Sequence, residues 1–441
     1  MPCLYDRKLK KVIEMTIFDF NPWWKTQNVP QQYSGQTRDI LSLLIPYLDY
    51  RQMIILFGMR RAGKTTIMYQ LIQHLIKKHP AFHIIYFSFD EQQYEPDTLL
   101  ALYQTEILKQ SLDTDQIIYL FFDEIQKLNQ WPDRIKLIYD RYPNIKIILS
   151  GSSNLLLNSN SKESLAGRFF EFYIAPLHFD EYLRFKGIHI DTDREALYEN
   201  EIKIEMQSFL KTGGFIETIT FGDDTILTKY FKESLLERVI FKDIPDTFQI
   251  NSPDLLFRLL LIVSYNPGMY LDYKLLGNDI KIDQRTVSNY FDYLCHSLLL
   301  KKIYNYSKNL LTSEKKLKRI YFNNTAFIYA LNPDKITLDI VIENYFVYTL
   351  AARFFYRTPQ KNEVDIILDK QPPIPVEIKI RNQIRKRDIK NTIAFMNKFD
   401  SMKGLIITKD YEETIEIDRQ KLFVIPYWKY WSINKLISQH T

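Results

Sequence analysis

Two stretches of the chain set residue types at spacings that chemistry would need. In the first, Gly58-Met59-Arg60-Arg61-Ala62-Gly63-Lys64-Thr65 places two glycines around four residues and ends in a lysine and a hydroxyl. Glycines let the backbone curl so that successive N–H groups face one anion, and a following helix adds its positive end. There Lys64 would reach the β- and γ-phosphates of a nucleotide and Thr65 would ligate Mg²⁺. In the second stretch, Asp365 precedes Glu377 and Lys379 across a proline-rich turn. Glu377 and Lys379 occupy alternate positions of a strand and so share a face. Carboxylates on adjacent strands beside a lysine can hold Mg²⁺ and orient an attacking water.

The elements that must position the first set are legible. Met53–Phe57 is an apolar run of strand character, and after the loop Ile67, Leu71, Ile72 and Leu75 keep helical spacing. Strand, loop, helix is the order a nucleotide-binding loop requires, with Gly58 through Thr66 expected to line the phosphates. A second apolar run, Ile117–Phe122, ends in Asp123-Glu124. Asp123 is placed to hold the Mg²⁺ shell and Glu124 to polarise the attacking water. Phe82–Asp90 supplies a strand between them, and Asn144–Asn154 another that ends in small polar residues. Ligand groups collect at the carboxyl ends of parallel strands, so Ser152 or Ser153 could sense the γ-phosphate. A plain serine-rich turn is the alternative.

This combination, followed by Ser164–Leu183 ("SLAGRFFEFYIAPLHFDEYL"), resembles a large prokaryotic AAA+ family often described as archaeal-type ATPases. The resemblance extends from about Gln36 onward. It implies ATP and Mg²⁺ as cofactors, a small helical lid, and a C-terminal domain of uncertain role. Its recurrent Gly-Arg is Gly167-Arg168 here, which makes Arg168 the candidate to neutralise charge on the transferred phosphoryl group. Acting in trans, it would require a homo-oligomer; the alternative is an arginine anchored to a carboxylate at a loop.

Beyond the core, Ser252-Pro253 is a helix start. Leu256, Leu259, Leu260 and Val263 follow on one face, a short helix lies near Tyr273–Leu276, and Asp283 can cap a third helix. There Val287, Tyr290, Phe291 and Leu294 face inward while Gln284, Arg285, Ser288 and Asn289 face out. With two strands after it as a wing, this is the pattern of a winged helix, and those four polar residues are of the kind that read DNA. Winged helices also serve protein interaction, and the same residues suit a solvated face. Asp365, Glu377 and Lys379 form the PD-(D/E)xK pattern of restriction-endonuclease-like folds, with Glu343 resembling an extra acid and basic Lys379–Lys390 able to track a phosphate backbone. Exposed charged strands and inactive nuclease scaffolds give the same pattern.

The expected architecture is α/β: an arm (1–30), a P-loop AAA+ parallel-sheet core (31–190), a helical lid (191–250), a winged-helix module (251–332) and a PD-(D/E)xK-like α/β domain (333–441). Composition agrees with a multidomain soluble protein, with 441 residues, 46% hydrophobic and 25% charged. No apolar run is long enough to span a bilayer and no secretory segment is recognisable, so a cytoplasmic location is expected. Only two cysteines, Cys3 and Cys295, exclude a disulfide framework, and the seven scattered histidines form no metal-ligand pair. A net charge of +5 is weak support for nucleic acid. Two whole-chain readings result: an ATPase acting on DNA, with metal-dependent cleavage by the C-terminal domain, or an ATP-gated switch whose nuclease-like domain cuts nothing.

Overall fold

Runs of Ile, Leu, Phe and Tyr that are apolar at every position suit strands covered on both faces, and the amino-terminal half of the chain is built on such runs. The computed structural model describes residues 17–90, 95–152, 164–250, 252–315 and 317–438, so Ser153 lies outside the described residues. It divides into two units at Glu181/Tyr182.

In the first unit β1 (Met53–Phe57) leads through the glycine loop into α1 (Lys64–Ile76). Then follow β2 (Ile84–Ser88), β3 (Ile118–Asp123), α2 (Trp131–Arg141), β4 (Ile145–Gly151) and β5 (Phe169–Tyr173). The five strands are parallel in the order β2-β3-β4-β1-β5. Alternate residues feed two cores. Ile54, Leu56, Tyr86 and Phe121 meet Ile67, Leu71, Ile72 and Leu75 of α1. Ile55, Phe87, Leu120 and Phe122 meet Trp131, Ile135 and Ile138 of α2. The predicted inward face of α1 is the buried one. The carboxyl ends of β1, β3 and β4 therefore open on one edge, where the glycine loop lies.

The aromatic arm Phe18–Trp24 has a clear structural role. β2 is an edge strand, and an uncovered edge is a template for unwanted pairing. Asn21 closes it as a backbone mimic: its amide donates to the Tyr86 carbonyl (2.9 Å) and accepts from the Tyr86 N–H (2.7 Å). The Trp23 and Trp24 indoles both donate to the Ile84 carbonyl, at 3.0 and 2.9 Å.

The second unit begins with helices, among them α3 (Glu199–Thr212), α4 (Pro253–Tyr265), α5 (Tyr273–Ile280) and α6 (Gln284–His296). Next come β6 (Leu300–Asn305), β7 (Lys318–Phe322), α7 (Thr325–Leu331) and α8 (Leu338–Thr349). The chain continues through β8 (Phe354–Arg357), β9 (Glu363–Leu368), β10 (Ile374–Lys379) and α9 (Lys386–Phe399). It ends with β11 (Lys403–Thr408), β12 (Glu413–Ile417), β13 (Gln420–Pro426) and α10 (Tyr430–Ser438). Eight strands form one mixed sheet in the order β12-β13-β11-β10-β9-β8-β6-β7.

Two segments have neighbours that the sequence pattern leaves open. The strands expected as a wing, β6 and β7, pair antiparallel, and β6 also pairs parallel with β8, so they continue into the C-terminal sheet. A pattern of alternating residues specifies a strand and leaves its second neighbour open. The helices anticipated as a lid belong to the second unit and are tied within it. The α3 end accepts from Asn324 at the Gly213 carbonyl (2.7 Å) and from Thr325 at the Leu210 carbonyl (2.6 Å). Among the described residues no helix is long and apolar enough to cross a membrane.

Candidate functional site

The glycine loop is shaped by its neighbours. A Cβ at Gly58 would lie 2.3 Å from the Ile174 carbonyl oxygen, so only glycine lets β1 leave beside β5. Met59 and Ala62 are buried and anchor the loop, Arg60 and Thr66 are half-buried, and Arg61 faces solvent with φ 62°. Gly63 sits at the start of α1. The Lys64 ammonium turns back into the loop and donates to the carbonyls of Gly58 (3.2 Å) and Met59 (3.0 Å). Its side chain thus lies over the hollow that the loop encloses.

Asp123 is the hub on the far side. Thr65 Oγ1 donates to its Oδ2 at 2.6 Å, bringing together two hard oxygen ligands from elements distant in sequence. The Tyr86 hydroxyl donates to the same oxygen at 2.9 Å. Oδ1 accepts from the Glu124 N–H at 3.0 Å and from the Ser150 hydroxyl. Burial and the Asp123 carboxylate hold the Tyr86 phenol well above its ordinary value, so it stays a donor. Glu124 follows with φ 51°, a left-handed turn that swings its carboxylate away from the strand. There the Gln126 amide donates to Glu124 Oε2, and Gln126 Oε1 accepts from the Ser152 N–H at 3.4 Å. Of the serines that end β4, the one on the acidic hub is Ser150; Ser152 lies beyond the strand and meets Gln126. Tyr86 and Ser150 carried no motif in the sequence. Their only signal is a position near the carboxyl end of a parallel strand.

A buried ion pair underlies the loop. Arg38 and Glu181 are each 3% exposed, joined at 3.0 Å from Nε to Oε1 and at 3.3 Å from Nη2 to Oε2. Arg38 also donates to the Ala62 carbonyl of the loop (3.1 Å) and to that of Ala175 after β5 (3.0 Å). Burial alone would raise the Glu181 carboxyl. Hydrogen bonds and charge from Arg38, with the N–H groups of Asp39 and His178, outweigh it and hold the carboxyl below its usual value. Gln70 of α1 fixes the same segment, accepting from the Arg38 N–H (3.2 Å) and donating to the Ser34 and Gln36 carbonyls (both 2.7 Å).

Arg168 lies elsewhere. Met53 pairs with Phe169 and Phe57 with Tyr173, so Arg168 stands level with the amino end of β1, while the loop follows its carboxyl end. A strand of this length puts roughly 15 Å between them at ~3.3 Å per residue. Arg168 instead pairs with Asp140 of α2, Nε to Oδ1 at 3.1 Å. Within one copy it does not reach the phosphate loop.

The C-terminal residues do assemble. Asp365 Oδ2 accepts from the Ile378 N–H (2.9 Å) and lies 3.7 Å from Lys379 Nζ. Glu377 Oε2 accepts from the Asp365 N–H (3.3 Å), and its Oε1 is bonded to Lys379. Glu343 of α8 joins through Arg319 of β7, whose Nη2 lies 2.7 Å from Glu343 Oε1. The same oxygen accepts from the Tyr321 hydroxyl at 2.6 Å. Arg319 Nη1 lies 3.2 Å from Glu363 Oε1 and 3.7 Å from Asp365 Oδ1. Burial first, then the Asp365 charge, pushes the Glu377 carboxyl up to about 8. The expected metal ligands, Asp365 and Glu377, are thus already facing protein donors and cations at every oxygen. Among the described residues no three acidic, histidine or cysteine side chains are grouped to hold a metal. As arranged, the cluster does not fit a divalent cation.

On α6, Val287, Tyr290, Phe291 and Leu294 are buried, while Gln284, Arg285 and Asn289 are exposed and Ser288 is half-buried. Asp283 caps the helix, accepting from the Arg285 N–H at 2.8 Å. Both faces are as the spacing predicts.

Comparison with known proteins bears on these features. Residues 205–337 and 339–430 match families each described as a domain of unknown function, DUF8612 and DUF4143. Two uncharacterized proteins of Methanocaldococcus jannaschii are similar along most of their length. One is 27% identical over 416 residues, 90% of each chain, and the other 27% over 392 residues, 81% of each. An uncharacterized protein of Haemophilus influenzae is 23% identical over 402 residues, 88% of this chain and 96% of its own. Among solved structures, the Aeropyrum pernix Orc1 protein in complex with DNA gives a TM-score of 0.32 at 13% identity, covering 71% of this chain and 96% of that one. Cdc6p of Pyrobaculum aerophilum gives 0.29 at 13%, covering 70% and 99%. Residues 50–183 match the family model described as an AAA domain, which supports an AAA-type, ATP-binding P-loop unit on the parallel sheet.

Proposed function

We propose that the chain hydrolyses ATP at the loop Gly58–Thr66 and uses the cycle to regulate contact with DNA. The observation that carries the ATPase reading is the 2.6 Å hydrogen bond between Thr65 and Asp123, with Lys64 folded over the loop beside it. Those two oxygens are suited to Mg²⁺, which would neutralise charge on the β- and γ-phosphates. Loop N–H groups would cradle the phosphates and Lys64 would exchange its carbonyl partners for phosphate oxygens. Glu124, held by Gln126, would accept a hydrogen bond from the attacking water. Arg168 fits a role in trans, because its strand end faces away from its own loop; this reading requires a homo-oligomer.

In the same reading 31–190 is the ATPase core, 191–250 a helical segment of lid type, 251–332 a winged-helix module built into the following sheet, and 333–441 a restriction-endonuclease-like domain. The exposed Gln284, Arg285 and Asn289, with half-buried Ser288, support DNA as partner. So does the exposed set Arg381, Arg385, Lys386, Arg387 and Lys390, among which Asp388 is the one buried acid. The donor-saturated state of Asp365 and Glu377 favours a C-terminal domain that binds without cutting. The test of the central step is steady-state phosphate release from ATP with Mg²⁺. Lys64→Ala should abolish it with the fold intact, and turnover at the wild-type rate would refute the assignment.

A further inference from the structure

The carboxylate cluster of the second unit has a resident positive charge that no motif announces. Glu343 on α8 and Glu363 and Asp365 on β9 approach one region, and Glu377 on β10 joins Asp365 through Lys379. Into that region reaches the Arg319 guanidinium, 11% exposed, from β7. Nη2 is paired with Glu343, and Nη1 lies between Glu363 and Asp365 without a hydrogen bond of good geometry to either. A buried group at charge-pairing distance from several acids, with one nitrogen unsatisfied by direction, is acting through its charge.

The surroundings are built around this guanidinium. Gly268 has φ +86°, donates its N–H to the Ile320 carbonyl (2.7 Å) and accepts from Arg319 Nε (2.7 Å). A Cβ there would lie 2.8 Å from Arg319 Nη2 and 3.1 Å from the Tyr321 ring, so the glycine is what leaves room for the side chain. The faces of Tyr270, Tyr321 and Phe355 stand around it, with ring centroids 5.9, 5.1 and 5.9 Å from its Cζ. A planar cation among aromatic faces and carboxylates is a stable lodging for arginine, and lysine would not reproduce it. Tyr321 and Tyr270 complete the ring of donors by bonding Glu343 and Glu363.

We propose that Arg319 is the built-in counter-ion of Glu343, Glu363 and Asp365 and, with Lys379 between Asp365 and Glu377, keeps the nuclease-like arrangement in a metal-independent state. A guanidinium spreads one charge over a fork and so faces acids on α8 and β9 at once. The consequence is a division of labour along the chain. Arg319 comes from the segment before α8, and the acids from α8 onward, so the counter-ion also pins the two segments together.

The test uses the full-length, nucleotide-free protein and Mn²⁺ as the probe, read by the loss of the free-ion paramagnetic resonance signal. Wild type should take up no Mn²⁺ that Asp365→Asn removes. Arg319→Gln, which keeps the polar end and deletes the charge, should take up one equivalent, and adding Asp365→Asn should abolish that uptake. Wild-type uptake that disappears in Asp365→Asn would overturn the proposal. So would a folded Arg319→Gln that takes up none. If Arg319→Gln does not fold, the comparison of wild type with Asp365→Asn still decides.

Discussion

Replacing Arg38 by methionine keeps a long apolar stem and deletes a guanidinium that four acceptors share: both Glu181 oxygens and the carbonyls of Ala62 and Ala175. Removing one partner of a buried pair costs about 3–5 kcal/mol, because the other charge is stranded. Glu181 keeps the N–H groups of Asp39 (2.9 Å) and His178 (3.4 Å), which places the expected loss toward the lower end, about 3 kcal/mol. At roughly 2–4 °C per kcal/mol for a unit of this size, the melting temperature should fall by about 6–12 °C. Scanning calorimetry with and without ADP reads this directly, since the transition that ADP raises is that of the ATPase unit. The double variant Arg38→Met/Glu181→Leu should recover part of the loss, because no charge remains stranded while the Ala62 and Ala175 carbonyls and the Asp39 and His178 N–H groups lose their partners. The pH dependence has a definite sign. A carboxyl held below its unfolded value adds stability above that value and loses it as pH falls through the folded one. The advantage of wild type over Glu181→Gln should therefore be full at neutral pH and vanish below the ordinary carboxylate value of 4.5. A melting temperature for Arg38→Met unchanged within error would refute the idea that this pair braces the loop.

Three further outcomes follow from the geometry. Mixing Arg168→Ala with Lys64→Ala, each inactive alone, should restore partial ATP turnover if the arginine acts on a second copy, and no recovery at any ratio would remove it from the phosphoryl-transfer step. Arg285→Ala with Asn289→Ala should weaken duplex binding, measured by fluorescence anisotropy, and lower its salt dependence; equal affinity would assign α6 to protein contacts. Glu377 has the opposite sign from Glu181: a carboxyl raised to about 8 lowers stability as pH rises through that value. Glu377→Gln should accordingly flatten the fall in thermal stability of the second unit between the ordinary carboxylate value of 4.5 and about 8, and an unchanged profile would contradict the burial argument.

What was legible in the sequence was chemistry confined to short stretches. Gly58–Thr65 and Asp123-Glu124 declare themselves because each role needs fixed residue types at fixed spacing, and α6 declares both its faces by its period. What escaped were partnerships across the chain. Arg38 and Glu181 are 143 positions apart, and each alone reads as a surface charge. Tyr86 and Ser150 reach Asp123 only because β2, β3 and β4 lie side by side in that order. The aromatic arm had no reading until β2 proved to be an edge. Asp365, Glu377, Lys379 and Glu343 were singled out and do meet, yet Arg319, hidden in an apparent wing strand, changes what their meeting can do. Local pattern sets the residue types; strand order decides which of them become neighbours.

The most direct measurement of the central claim is ATP binding and turnover by Glu124→Gln, whose amide keeps the size of the side chain and removes its capacity as a base. Nucleotide affinity should match wild type, since Lys64, Thr65 and Asp123 are untouched, while turnover should fall by about 10²-fold or more. Turnover equal to wild type, with affinity unchanged, would contradict the account by showing that Glu124 does not act on the attacking water.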